Sequence, residues 1–260
     1  MAEQTLWFLE PRIMSDTGPL RDAIEPLYVV FSQYRLRERI VACKHCHGSD
    51  DDRLLRSKKL RELGVQELHH YIWDALTTWG DDYDFRHFLP RILEIYALEE
   101  SLTDQFISPE IVLGKLRYAR WTDWPRREQE TVRRYLSALW LSKINHDFPW
   151  EDFSVSLIED WLCAIGQAEE DLQPYLTGWE AASSSAAVGN LSHLIVSVHN
   201  ELAKKKLRSA FWEDRRAQCV QVVNWLLGKK VNEKLVANSA HGLPSETWTK
   251  RALETLSLLT

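Results

Sequence analysis

The sequence predicts an all-α fold, either an irregular multi-helix bundle or a HEAT-like α-solenoid, of roughly ten helices. Three observations predict it. Apolar residues recur at spacings of three and four in segment after segment, the period at which side chains return to one helix face. No segment shows the strict alternation of a half-buried strand. The ten glycines fall mostly at the ends of apolar stripes, where they suit helix caps better than cofactor loops.

Taken in order, a helix is expected to end near Cys43, and Asp50, Asp51 and Asp52 open the next, where the N-terminal dipole favours negative charge. In "VQELHHYIWDALTTWG" the stripe runs Val65, Leu68, Ile72, Leu76 and Trp79 and stops at Gly80. In "DFRHFLPRILEIYALEE" it runs Phe85, Phe88, Leu89, Ile92, Leu93 and Tyr96, with Asp84 placed to cap the start. A short turn between them predicts an antiparallel pair. Further helices are expected over Ile111 to Tyr118 and over Glu128 to Asn145, the latter behind Pro125, whose fixed φ suits a first turn. Trp150, Phe153, Leu157, Trp161 and Ile165 mark another, ending at Gly166. "EAASSSAAVGN" reads as a loose connection into a helix carrying Leu191, Leu194, Val198 and Leu202. Helices at Phe211 to Leu227, Val231 to Ala240 and Ser245 to Leu259 finish the chain.

Connections this short favour a single helical domain over residues 1–260, with any subdivision near 183–185. "HFLPRILEIY" looks like the first helix of a HEAT repeat, bent by its proline, but no second segment reproduces it at a fixed period. Of the twelve tryptophans, Trp73, Trp140, Trp161 and Trp225 fall on or beside apolar stripes and are expected in the core. Trp79, Trp121 and Trp124 lie near helix ends in polar surroundings and are expected to face a partner.

With 260 residues, 45% of them hydrophobic, the chain has ample material for a core. A net charge of −6 argues against nucleic acid, since "KKK" at Lys204 to Lys206 and "RR" at Arg126 and Arg127 are short and read as solvated helix faces. "MAEQTLWFLEPR" has no signal-peptide pattern, and no apolar run approaches a membrane span, so a cytoplasmic protein without membrane contact is expected. Four cysteines make no secreted disulfide framework, and Cys163 and Cys219 read as small buried hydrophobes.

The most concentrated chemistry is "CKHCHGSDDD", Cys43 to Asp52. Zinc takes deprotonated thiolates and imidazoles at tetrahedral positions. Cys43, Cys46 and His47 supply part of such a set, with His45 as neighbour and a fourth ligand to come from His69, His70 or His87. A redox couple and a purely structural pair are the other readings, the redox one lacking the βαβ setting it expects. Any zinc here would be structural, and otherwise no cofactor is expected. Asp81, Asp82 and Asp84 read first as helix-opening charge. Together with Trp79 and Tyr83 they also read as an acidic docking surface. No phosphate-cradling glycine loop, G-x-S-x-G elbow, H-E-x-x-H or kinase signature occurs.

Cys43 and Cys46, an acidic stretch, then Leu68, Tyr71, Ala75 to Asp81 and Asp84 to Glu94 together resemble a pattern found in uncharacterised bacterial all-helical proteins. The resemblance spans about a fifth of the chain, and its second block is much the more specific. It implies a bacterial cytoplasmic protein of helical fold. By analogy it also implies an immunity protein, which binds one bacterial protein partner, a toxin domain, and occludes its active site. Trp79, Asp81, Asp82, Tyr83 and Asp84 would then form the partner-binding surface. A HEAT-like scaffold or adaptor is the alternative, and a zinc-dependent enzyme the third reading.

Overall fold

The computed structural model describes residues 18–43, 45, 49–98, 107–148, 157–239 and 245–259. Thirteen α-helices run through these described residues: α1 (Gly18–Phe31), α2 (Ser49–Leu55), α3 (Val65–Asp74), α4 (Asp82–Leu98), α5 (Pro109–Tyr118), α6 (Arg126–Ile144), α7 (Leu157–Ala168), α8 (Gln173–Ala181), α9 (Ser185–Ser197), α10 (His199–Leu202), α11 (Arg216–Leu226), α12 (Lys229–Asn238) and α13 (Glu246–Leu259). Short 3-10 turns occur at Leu60–Glu62, Trp121–Asp123 and Ala210–Arg215. Extended pairing among the described residues is limited to isolated bridges of Trp79 with Ala42 and Ala75.

The most extensive helix packing joins α5 to α7, α1 to α6 and α9 to α13, with α4 also against α1. In a HEAT stack each repeat touches only its neighbours in sequence. Here α1 reaches past four helices to α6, so the chain is an irregular bundle. In α1, Leu20, Ala23, Ile24, Leu27, Val30 and Phe31 form a continuous buried stripe across Pro26. The missing N–H costs one intrahelical bond, and burial of the stripe offsets it. α4 likewise runs on through Pro90.

Other expectations shift at the ends of elements. Among the described residues no helix ends near Cys43: α1 stops at Phe31, and Arg35 to Arg37 have no regular secondary structure. α7 passes Gly166 and continues to Ala168. Trp150 and Phe153 lie outside the described residues. The small-residue stretch is largely helical, because Ser184 caps α9 by accepting from Ala187 N–H at 3.0 Å. Its small side chains let α13 approach, where Ser192 Oγ and Thr249 Oγ1 meet at 3.2 Å. The hydrophobic core passes as one cluster through both sides of residues 183–185.

Tryptophans hold the elements together in a consistent way. Trp121, Trp140 and Trp179 are fully buried, and each donates its indole N–H to a carbonyl on a later segment: Ala168 O at 2.8 Å, Tyr175 O at 2.9 Å and Ala187 O at 2.9 Å. A buried indole leaves its one donor satisfied only if such an acceptor is within reach. Trp124 is buried as well, and Trp121 with it, so neither faces outward. Trp73 does the opposite of what its stripe implied and is 47% exposed. No helix among the described residues is long and apolar enough to cross a membrane.

Candidate functional site

Cys43 lies beside the second of the two blocks that carry the sequence resemblance. α3 ends at Asp74, because Leu76 adopts a left-handed φ of 69° and takes the chain out of the helix. The carbonyl of Asp74 then gathers the N–H groups of Thr77, Thr78 and Trp79 at 3.0–3.1 Å. Lys115, itself buried, donates its ammonium to Trp73 O at 2.6 Å and Ala75 O at 2.9 Å, satisfying carbonyls at this helix end. Burial holds that ammonium below its usual value. Across the turn, Cys43 N–H donates to Thr78 O at 2.8 Å and Gly80 N–H to Val41 O at 2.7 Å. Gly80, at φ 73°, could not carry a side chain without meeting Asp84 Cβ at 3.1 Å and Ile40 Cγ2 at 3.3 Å.

Trp79 is therefore not a surface anchor. It is 2% exposed and packs edge-on against Tyr71, with centroids 5.5 Å apart. Asp84 is 1% exposed and does not cap α4 from outside. The cap is Asp81, whose Oδ1 accepts from Tyr83 N–H at 2.9 Å and Asp84 N–H at 3.1 Å, while Asp84 Oδ2 accepts from Asp81 N–H at 3.2 Å. This reciprocal pair is a capping box built from two aspartates. Burial pushes the Asp84 carboxyl above the ordinary carboxylate range, with the Asp81 charge adding to it and the Asp81 N–H opposing. For Asp81, Arg37 and the helix N–H groups outweigh burial and hold the carboxyl low.

Asp81, Asp82 and Tyr83 do reach solvent, but the charges are already paired. Arg37 bonds Asp81 at 2.7 Å. Asp82 is bonded by Arg86 through one oxygen and by Trp124 Nε1 at 3.0 Å through the other. The face is mixed in sign, and the expected acidic surface is largely neutralised from within.

Beneath it lies a hub that the sequence did not announce. Glu128, 1% exposed, accepts from Gln33 Nε2 at 2.9 Å and Tyr34 OH at 2.7 Å, and pairs with Arg86 at 3.2 Å. The Tyr34 hydroxyl also accepts from Arg86 at 2.6 Å. Tyr83 is held on the rim by three contacts: its hydroxyl accepts from Arg35 N–H at 3.1 Å, its ring meets Tyr34 edge-on at 5.2 Å, and the Arg37 guanidinium sits 4.3 Å from its centroid. The signal for Arg37 and Tyr34 was present as "QYRLRER", a polar stretch without helical period.

Beside Tyr34 a cleft of about 370 Å³ opens between the end of α1, the Leu60–Glu62 turn and α4. Among its walls are Tyr28, Tyr34, Leu60 and His87, with Arg35 and Arg61. His87 Nδ1 lies 2.8 Å from Tyr34 O, so that nitrogen carries the proton and Nε2 is left as acceptor. Burial holds the imidazole below its usual value, which favours this neutral form.

The thiol site is only partly in view. Cys43 is half-buried at the end of the 40–43 pairing and His45 is exposed, while Cys46 and His47 lie outside the described residues. His69 and His70 contact each other, with ring centroids 5.4 Å apart, and His87 is committed to Tyr34. Among the described residues no three His, Cys, Asp or Glu side chains are grouped to hold a metal ion. Cys163 and Cys219 are buried thiols, and burial pushes both above the usual thiol range.

A second concentration of carboxyls sits between α5, α7 and residues 207–209. Glu159 Oε1 accepts from Arg208 N–H at 2.6 Å and Ser209 N–H at 2.9 Å, and Ser209 Oγ donates to Glu110 Oε1 at 3.1 Å. Burial raises Glu110 and Glu159, and Asp160 beside them is pushed up to about 7 by burial and by those two charges. These groups tie a loop to two helices.

The chain matches no protein-family model, no curated protein and no solved structure.

Proposed function

We propose that this is a protein-binding protein without a reaction of its own, whose docking surface is the rim formed by Arg37, Asp81, Asp82 and Tyr83. The observation that carries this reading is how Tyr83 is held: an aromatic side chain at the surface, fixed by a backbone N–H, a tyrosine edge and a guanidinium. Tyrosine and arginine dominate interface hot spots, and side chains already ordered in the free protein lose little entropy on binding. The sequence resemblance supplies the class of partner. The protein acts as a cytoplasmic bacterial immunity protein that covers the active site of a toxin domain, with Tyr83 and the Arg37–Asp81 and Arg86–Asp82 pairs offering a rim of mixed sign to the partner. The packing of α1 on α6 across four intervening helices, in place of contacts between sequence neighbours alone, favours this reading over a HEAT-type adaptor.

Binding of the purified protein to the toxin domain encoded beside it tests the proposal. Tyr83→Ala and Arg37→Glu should each weaken the complex by about thirtyfold, the effect of a hot-spot residue, with the helical circular dichroism unchanged. Tyr83→Phe keeps the ring and should retain most of the affinity. A complex indifferent to both substitutions sinks this surface, and a chain that binds no neighbouring product sinks the function.

A further inference from the structure

The cleft beside the rim has a composition at odds with the chain as a whole. The protein carries a net charge of −6, yet the ionisable groups on the cleft wall are Arg35, Arg61 and His87, together with tyrosine hydroxyls, and no carboxylate is among its lining residues. Their partners sort these groups. Arg61 is committed, bonded through both nitrogens to Glu25 at 2.8 and 2.7 Å and stacked 3.7 Å from the Tyr28 centroid. His87 donates to Tyr34 O, and burial holds its imidazole below the usual value, which favours the neutral form. Arg35 is exposed, and among the described residues its guanidinium has no ion pair, while its backbone is fixed by Tyr83 OH. The walls between these groups are Tyr28, Phe31, Tyr34, Leu36, Leu60 and Pro90. An aromatic and aliphatic hollow with an available guanidinium at its mouth is complementary to a ligand that is apolar at one end and anionic at the other.

We propose that this cleft receives, from the partner protein, a large apolar side chain flanked by a carboxylate, the ring entering between Tyr28 and Tyr34 and the carboxylate meeting Arg35. The volume, near the lower end of ligand clefts, suits one such side chain and not an extended cofactor. This inference rests on the protein-binding reading and specifies the chemistry of the partner: a segment that carries a large apolar side chain beside a carboxylate.

The full chain titrated with N-acetyltryptophan, followed by amide NMR shifts, tests the cleft directly. N-acetyltryptophan amide, the same ring without the negative charge, is the comparison. The carboxylate form should shift the signals of Leu36, Leu60 and His87 and bind about tenfold more tightly than the amide, the effect of one charge-assisted hydrogen bond. Arg35→Gln should remove that preference and leave the weak binding of the ring. Equal affinity for the two probes, shifts confined to other parts of the molecule, or no binding at millimolar concentration would each overturn the proposal. The titration needs no partner, so its failure leaves the toxin-binding test standing, and a partner insensitive to Tyr83 leaves the titration standing.

Discussion

Replacing Asp160 by asparagine separates the charge of this carboxyl from its shape. Asp160 lies on α7 next to Glu159, with Glu110 facing from α5, the Cys163 thiol one turn on, and Arg208 as the nearby cation. Its ordinary value is 3.8, and in the fold it is pushed up to about 7, by burial first and then by Glu110 and Glu159, against a smaller opposing effect of Arg208. The folded state thus holds this proton more tightly than the unfolded chain does. Stability attached to the group is full below about pH 4 and is lost as pH rises through about 7. Raising a carboxyl from 3.8 to about 7 corresponds to about 4 kcal/mol against the ionised form, and since part of the side chain remains in water, about 2 kcal/mol is the working figure. Asp160→Asn should therefore be more stable than the parent by about 2 kcal/mol near pH 8 and nearly equal to it near pH 4. Urea denaturation followed by circular dichroism at both pH values measures the difference. An offset of the same size at both values, or a variant less stable than the parent near pH 8, would refute the reasoning.

Two further substitutions probe the packing. Gly166→Ala places a methyl 2.8 Å from Trp212 Cζ3 and 3.0 Å from Cη2; overpacking of about 2 kcal/mol should exceed the helix-propensity gain of about 1 kcal/mol, so thermal denaturation should come earlier, and a later one would show that the indole moves aside at little cost. Lys115→Met strips the donor from Trp73 O and Ala75 O and should destabilise by about 2–3 kcal/mol, with faster amide exchange at Thr77 to Trp79; unchanged exchange there would mean that the turn stands without the ammonium.

How far the sequence reaches is clearest in Trp73 and Trp79. Both sit near the same apolar stripe, and helical period alone places Trp79 at its polar end. The left-handed Leu76 removes Trp79 from the helix and folds it under the 40–43 segment, which leaves Trp73 looking outward. Periodicity reports local geometry and carries no information about which segment closes over a turn. The same limit applies to Glu128, which reads as a solvent residue within "RREQETVRR" and becomes the buried hub only because Gln33 and Tyr34 arrive from almost a hundred residues away. Helix existence was readable where the stripe was long, as in α4, α6 and α13. α8 is a short helix whose three core residues, Tyr175, Leu176 and Trp179, make too brief a stripe. Asp84 was recognised as belonging to a helix start, but which of two aspartates three apart accepts from the other's backbone depends on the turn before them, which the alternation of residue types does not encode.

The indoles that staple distant segments also give the molecule an optical record of its own folding. Trp140, Trp179 and Trp225 form a chain with successive centroids 5.2 and 5.5 Å apart, close enough to exchange excitation. Light absorbed in this region is shared among rings shielded from water, whereas Trp73 emits from a wet environment at any time. Red-shifted emission and loss of that exchange would accompany separation of α6, α8 and α11, and a ligand arriving at Trp73 would register without either.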